Sequence, residues 1–219
     1  MQPEFWHDRW ARNQIGFHLE EVNPCLRRFW PEIGVEKNGR VLVPLCGKTL
    51  DIAWLVAQGH SVLGVELSQT AIEGFFSEHN INPRISREGA FSAYEAGPVK
   101  ILCGDFFALN ELDTADCVGL YDRAAIIALP PEMRAAYARH LIQTLPQGCN
   151  GLMITLEYDQ SEMSGPPFSV PDEEVRALLS PAWTLTVLEQ PDILGKSWKF
   201  LQGGATRLVE RVYQLNKVV

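Results

Sequence analysis

Long apolar runs and an excess of positive charge are both missing from this 219-residue sequence. A helix that spans a bilayer takes about 20 consecutive apolar residues, and an apolar run such as Ala124 to Leu129 is far shorter. Lys and Arg number 19 against 27 Asp and Glu, which gives a net charge of −8. Because such a chain repels phosphate groups and has no basic stripe, we expect neither nucleic-acid nor membrane binding.

Paired cysteines and a targeting segment are also missing. The cysteines are an odd number, five, and no two of them form a Cys-x-x-Cys pair. The odd number and the spacing of the cysteines argue against a disulfide scaffold and against a zinc site. The five histidines show no metal-ligand spacing either. The amino terminus lacks the basic start and apolar stretch of a signal peptide. We therefore expect a cytoplasmic protein that binds no metal.

Apolar segments of strand length alternate with segments of helical period along the chain. Strands are predicted at 39–45, 61–66, 99–103, 116–121 and 151–158. Between them, Ser68 is placed to cap a helix, and Pro130-Pro131-Glu132 is a sequence with which a helix begins well. Repeated strand–helix–strand units predict one α/β domain with a parallel sheet that is covered on both faces.

The two ends of the chain depart from this alternation. Residues 1–36 are rich in aromatic side chains, and a helix there would place Trp6 and Trp10 on one face. The segment would either dock on the core formed by residues 37–219 or act as a lid over a ligand. Near the other end, 184–189 and 207–213 are predicted as strands that pair antiparallel at a sheet edge, with no helix between them.

The turn after the first strand is where an open parallel sheet binds its ligands. It contains Gly47-Lys48-Thr49, but Leu42 stands where a P-loop has its first glycine, so a P-loop is excluded. A dinucleotide site would need Gly-x-Gly-x-x-Gly, of which only Gly47 is present.

An acidic residue ends the second predicted strand, and another follows the third. Glu66 is placed to accept hydrogen bonds from both hydroxyls of a ribose, and a ribose site without a pyrophosphate loop favours S-adenosylmethionine (SAM). SAM would need one glycine close to its methionine end, the place of Gly47. Asp105 could hold the adenine amino group, and Phe106 could stack on the ring. A solvated acid at a strand end stays the alternative for Glu66.

Several separated segments together resemble the thiopurine S-methyltransferases, and the short amino terminus resembles their bacterial members. The resemblance extends from about residue 4 to about residue 215. Its motifs are Phe-Trp-His-Asp-Arg-Trp (5–10), Val-Pro-Leu-Cys-Gly-Lys (43–48), Gly-His-Ser-Val-Leu-Gly-Val-Glu-Leu-Ser (59–68), Tyr-Asp-Arg (121–123), Gly-Pro-Pro-Phe-Ser-Val-Pro (165–171) and Lys-Ser-Trp (196–198).

The resemblance implies the Rossmann-like fold of class I SAM-dependent methyltransferases, with a seven-stranded, mostly parallel sheet whose last strand is antiparallel. It also implies a monomer that uses SAM, converts it to S-adenosylhomocysteine and takes a small thiol or chalcogen compound as methyl acceptor. Carried over residue by residue, it assigns Trp10, Leu45, Glu66 and Arg123 to the SAM site.

The resemblance further implies that Trp6, Trp10 and Phe17 close over cofactor and substrate. Pro167, in the loop after the fifth strand, is a candidate for the acceptor wall. One departure concerns the residues before Lys196-Ser197-Trp198, where eukaryotic members carry an arginine. This chain has Ile193-Leu194-Gly195 there, which predicts a different acceptor pocket.

The expected reaction is methyl transfer from SAM to the sulfur of aromatic or heterocyclic thiols, thiopurines among them, or to selenium or tellurium compounds. Thiols are acidic enough that we assign no catalytic base, and Arg123 is expected to orient an anionic acceptor. Two alternatives stay open on the sequence: an NAD(P)-type dinucleotide oxidoreductase and a non-catalytic SAM-binding sensor.

Overall fold

Within residues 3–219, which the computed structural model describes, nine strands form one mixed sheet with helices on both faces. The strands are β1 Arg40–Pro44, β2 Ser61–Glu66, β3 Arg84–Glu88, β4 Phe91–Ala96, β5 Val99–Cys103, β6 Cys117–Arg123, β7 Asn150–Glu157, β8 Trp183–Glu189 and β9 Val209–Lys217. The helices are α1 Pro3–Ala11, α2 Pro24–Phe29, α3 Asp51–Ala57, α4 Gln69–Glu78, α5 Pro131–Thr144, α6 Asp172–Leu179 and α7 Trp198–Gln202.

The strand order is β3-β4-β5-β2-β1-β6-β7-β9-β8. Strands β5, β2, β1, β6 and β7 run parallel, whereas β9 lies antiparallel between β7 and β8. The seven strands from β5 to β8 are therefore the class I methyltransferase sheet that the sequence predicted, with its antiparallel last strand.

The expected number of seven strands is wrong for the whole sheet, because the hairpin β3–β4 adds two strands beside β5. Strand β3 has the sequence Arg84-Ile-Ser-Arg-Glu88, and its Ile85 is 60% exposed. An edge strand with no buried face shows no apolar alternation, so the sequence carried no signal for it.

The expectation of no helix between the last two strands is also wrong. Helix α7 lies there, although it has only five residues and buries only Phe200. One turn with a single buried residue cannot produce the i, i+3, i+4 apolar pattern from which a helix is predicted. None of the helices in residues 3–219 has the length and apolar character needed to cross a membrane.

Alternating residues of the strands point to opposite faces of the sheet and pack into two apolar cores, one on each face. Helices α5 and α6 pack on one face and α2, α3 and α4 on the other. The bounds of β2 and the cap of α4 agree with the sequence prediction: Ser68 Oγ accepts a hydrogen bond from the Ala71 N–H. The carboxyl ends of β1, β2, β5 and β6 consequently meet at one edge.

A buried polar network attaches the amino-terminal segment to this sheet. The Asn23 N–H donates to Asp51 Oδ1, and the Tyr121 hydroxyl donates to Asp51 Oδ2, both at 2.8 Å. The Asn23 side chain in turn accepts from the first N–H groups of α2. Asp51 is 1% exposed, so the network fixes where the segment before α2 crosses the edge of the sheet.

A second buried carboxylate, Asp122 in β6, should make the stability of the fold depend on pH. It accepts from the Tyr137 hydroxyl at 2.7 Å, and burial raises the pKa of Asp122 to about 6. Because the folded state then holds this proton more tightly than the unfolded state, the stability due to Asp122 is present below about pH 4 and is lost as the pH rises through about 6.

The variant Asp122→Asn removes that titration. Between pH 4 and 6, the free energy of unfolding of the variant should fall less steeply with pH than that of the wild type, by up to about 1.4 kcal/mol per pH unit, the slope of one proton. Urea denaturation across this range measures both slopes, and parallel slopes would contradict the assignment.

Candidate active site

A cavity of about 1010 Å³ lies at the carboxyl edge of the parallel strands. It brings together every residue that the sequence assigned to the site. These residues are Trp6, Trp10, Phe17, Leu45, Gly47, Glu66, Asp105, Phe106, Arg123 and Pro167.

Glu66 ends β2 and is 7% exposed. Its Oε2 accepts from the Gly47 N–H and its Oε1 from the Ser68 N–H, both at 2.8 Å. Burial raises the pKa of Glu66, and the hydrogen bonds from the backbone oppose that rise. Since a carboxylate oxygen can accept two hydrogen bonds, each of the two oxygens retains an acceptor position toward the cavity.

The loop after β1 comes close to the aromatic amino-terminal segment. Leu45 and Gly47 both have left-handed backbone conformations, with φ of 48° and 54°. A Cβ atom on Gly47 would lie 3.0 Å from Trp10 Cζ2. Only glycine therefore combines this turn with the indole ring packed over it.

Three aromatic rings form a cluster over the same region, which we call the lid: Trp6, Trp10 and Phe17. The ring of Phe17 lies edge-on to Trp6 and Trp10, with centroid separations of 5.7 and 5.5 Å. Arg123, at the end of β6, donates from Nη1 to the carbonyl oxygen of Phe17 at 3.0 Å. A cation on the sheet thus holds the backbone of the lid.

Two of the predicted site residues follow β5, and they differ in exposure. Asp105 is exposed, and its carboxylate accepts from the Phe107 N–H at 3.0 Å. Phe106 is 6% exposed, and its ring packs in the core beside Tyr137 and His140. Phe106 nevertheless lines the cavity, as does the neighbouring Phe107.

Pro167 lies on the wall formed by the loop after β7. Its carbonyl oxygen accepts from the Tyr158 hydroxyl at 2.6 Å, and the next residue, Phe168, donates its N–H to Ile127 at 2.7 Å. The guanidinium of Arg134 lies 5.9 Å from the Phe168 ring centroid. The wall is therefore held by the residue that follows β7 and by the turn that precedes α5.

Sequence reasoning missed several charged residues of the cavity. Glu210 of β9 accepts a hydrogen bond from the Cys25 thiol, with 3.6 Å between Sγ and Oε1. Lys199 of α7 lies near Arg9, and burial together with Arg9 lowers the pKa of Lys199. The signal for Glu210 was an acidic side chain between Leu208 and Val212 on one face of the predicted strand 207–213. Lys199 gave no signal, because nothing in the sequence brings α7 to α1.

The residues at the β2 end of the cavity fit the adenosine part of SAM. Glu66 has an acceptor position on each oxygen for two neighbouring hydroxyls, and Asp105 stands at the end of the adjacent strand β5. Over the part of the chain that the structure describes, no group of three His, Cys, Asp or Glu side chains is arranged to bind a metal ion.

Comparison with known proteins identifies the family of this chain. The sequence profile of the thiopurine S-methyltransferase family matches residues 1–218. A thiopurine S-methyltransferase of Pseudomonas fluorescens is 59% identical over 215 residues, covering 98% of this chain and 99% of the relative. One of Azotobacter vinelandii is 56% identical over 217 residues, covering 99% and 100%.

Among solved structures, the fold is similar to that of the Burkholderia thailandensis 1,6-didemethyltoxoflavin-N1-methyltransferase, which was determined with bound S-adenosylhomocysteine. The TM-score is 0.65 at 14% sequence identity, and the match covers 99% of this chain and 87% of that one. These matches exclude the dinucleotide oxidoreductase alternative. The chain belongs to the thiopurine S-methyltransferase family, and it is a SAM-dependent methyltransferase.

Proposed function

We propose that this enzyme transfers the methyl group of SAM to the sulfur of small aromatic or heterocyclic thiols, thiopurines among them. The observation that carries the proposal is that a buried carboxylate suited to a ribose and an aromatic lid suited to a flat acceptor line one cavity. The names of the relatives point to the same acceptor class.

The β2 end of the cavity would hold the cofactor. Glu66 would accept the two ribose hydroxyls on the lone pairs that Gly47 and Ser68 leave, and Asp105 would accept from the adenine amino group. Phe106 would contribute the exposed part of its ring to the adenine. Leu45, Gly47 and Trp10 would surround the methionine end, where the left-handed turn presents backbone groups.

When bound, SAM supplies an electrophilic methyl group on a sulfonium that is its own leaving group. The chain then has to align the acceptor sulfur and keep water away from it. Alignment of two reactants is a large contribution to rate, and the rings of Trp6, Trp10 and Phe17 cover the place where it would occur. A free thiol has a pKa of about 8.5, so a reactive thiolate fraction exists near neutral pH without a base.

Arg123 would serve both lid and acceptor. One nitrogen is hydrogen-bonded to the Phe17 carbonyl oxygen, and the other N–H donors of the guanidinium lie at the cavity wall, where they can orient an anionic acceptor. Burial lowers the pKa of His18 in the same loop, and the charges of Lys48 and Arg123 add to this effect. His18 therefore carries a positive charge less readily than an ordinary histidine does.

The variant Arg123→Ala should lower kcat/KM with a thiopurine by about 10- to 100-fold, because it removes a charge-assisted hydrogen bond to the lid and the contact with the acceptor. Arg123→Lys should recover only part of the loss, since one ammonium cannot bond Phe17 and an acceptor in the same geometry. Steady-state kinetics measure both variants. Full activity of Arg123→Ala would exclude this role.

The proposed function is tested by incubating the enzyme with methyl-labelled SAM and 6-mercaptopurine and analysing the product by mass. An S-methylated purine together with S-adenosylhomocysteine is expected. Calorimetry with SAM runs in parallel. Binding without transfer to any acceptor would overturn the proposal and favour a SAM-binding sensor.

Selenium and tellurium compounds are a second acceptor class that we infer for the same cavity. The lid and Pro167 offer apolar contact rather than a fixed set of hydrogen bonds, so a soft anionic nucleophile of another size can be accommodated. Gas-phase detection of methylated selenium from selenite under reducing conditions tests this.

We also propose that the protein is a cytoplasmic monomer. Its five free cysteines agree with the reducing environment of the cytoplasm.

A further inference from the structure

Glu210 of β9 lines the cavity, on a strand separated from β2 by β1, β6 and β7, and it has no part in the roles assigned above. In the sheet, Arg123 of β6 is opposite Ile154 of β7, and Ile154 is opposite Val212 of β9. Residues opposite each other project from the same face, as do residues two positions apart on one strand. Glu210 therefore projects from the same face as Arg123, and both side chains line the cavity.

The carboxyl group of Glu210 is incompletely satisfied. In residues 3–219, the Cys25 thiol is its one hydrogen-bond donor, on Oε1, and no Lys or Arg lies within ion-pair distance. The nearby Arg28 is engaged by Glu189, with both oxygens of that carboxylate within 3.0 Å of Nη1. Oε2 of Glu210 is thus available to a donor inside the cavity.

The environment keeps Glu210 suited to accept a proton. Burial raises the pKa of Glu210, and the charge of Glu189 on β8 adds to the rise. The Cys25 hydrogen bond, Arg123 and Lys196 act in the opposite direction. A carboxylate whose pKa is moved toward neutrality is a better general base at physiological pH than an ordinary glutamate.

Heterocyclic thiols differ from simple thiols in where their proton resides. In the thione form of a thiopurine, sulfur is doubly bonded to carbon and the proton is on the adjacent ring nitrogen. Methylation on sulfur must release that proton. A simple aromatic thiolate has no such proton to lose, so a base helps one acceptor class and not the other.

We propose that Glu210 accepts the ring N–H proton of heterocyclic thione acceptors as their sulfur is methylated. The N–H bond breaks, and its electron pair forms a C=N bond. The π pair of the C=S bond forms the new bond from sulfur to the methyl carbon. The pair of the breaking methyl–sulfonium bond stays on the leaving sulfur, and the proton later passes from Glu210 to solvent. This inference rests on the proposed function and specifies its substrate class.

The test compares Glu210→Gln with the wild type on two acceptors, 6-mercaptopurine and 4-nitrobenzenethiol, the second of which is a thiolate at neutral pH. With 6-mercaptopurine, kcat should fall about 100-fold, the lower end of what a general base contributes. With 4-nitrobenzenethiol, kcat should change by less than about twofold. Glu210→Asp should recover part of the loss. The control Glu95→Gln, on the exposed hairpin, should leave both rates unchanged.

The dependence of kcat on pH in the wild type provides a second test, which does not require the variant to fold. With 6-mercaptopurine, kcat should fall on the acidic side at a pH below the N–H pKa of the free acceptor. With the nitrothiol, kcat should show no such step. Equal losses on both acceptors, or superimposable pH profiles, would overturn the role of Glu210. A wild type that methylates neither acceptor would instead contradict the proposed function itself.

Discussion

Replacing Glu66 with alanine should weaken SAM binding by about 10- to 150-fold, equivalent to the loss of 1.5–3 kcal/mol for hydrogen bonds to a charged group. The carboxylate is the buried acid at the end of β2, and each of its oxygens is already oriented by one backbone N–H. Because those two bonds fix its position before any ligand arrives, the ribose would meet acceptors that need no reorganisation.

Titration calorimetry with SAM and with S-adenosylhomocysteine measures this loss. The ribose is common to both compounds, so both affinities should fall by the same factor. Glu66→Gln should lie between wild type and Glu66→Ala, because its amide retains one acceptor but meets a backbone N–H with its other end. Unchanged affinity of the alanine variant would exclude ribose binding at Glu66.

Replacing Glu174 with alanine should destabilise the fold by about 3–5 kcal/mol, the typical result of leaving a buried charge unpaired. Arg134 is 1% exposed, and its Nη1 donates to both oxygens of Glu174 at 2.9 and 2.7 Å. Its Nε donates to the Leu129 carbonyl oxygen at 2.9 Å. Without Glu174, the guanidinium would keep its desolvation and lose its counter-charge.

Urea denaturation at neutral pH gives the free energy of unfolding of each variant. The matched control is Arg84→Ala, which removes an ion pair with Glu95 on the exposed hairpin and should have a far smaller effect. Comparable effects at the two sites would contradict the account of the buried pair. Since Arg134 also faces the ring of Phe168 beside Pro167, Glu174→Ala should raise KM for the acceptor as well.

The sequence predicted the fold well where an element has a buried apolar face or a capping residue. Strand β2 occupies the predicted residues, and Ser68 caps α4 as expected. The apolar run of β2 and the capping serine of α4 are both local signals, because each depends on residues that are close together in the sequence. Strand β3 has no buried residue and the single turn α7 buries only Phe200, so neither could be predicted.

Strand ends alone predicted only the cofactor side of the site. Glu66 and Asp105 were located because parallel strands bring their carboxyl ends to one edge, whereas Arg123 and the aromatic residues of the lid were assigned from the family resemblance. The bond from Arg123 to the Phe17 carbonyl joins residues 106 positions apart and uses a backbone atom, so no side-chain pattern reports it. Glu210 was missed for a related reason: its contact with Cys25 depends on how α2 packs against β9.

A crystal structure with bound S-adenosylhomocysteine tests the central claim most directly, namely that this cavity holds the cofactor at Glu66 with the acceptor end beneath the lid. We expect both ribose hydroxyls within about 2.5–3.0 Å of the Glu66 oxygens, and the sulfur of the ligand directed toward Arg123 and Phe17. A ligand whose ribose binds elsewhere, or whose sulfur points away from the lid, would contradict the account.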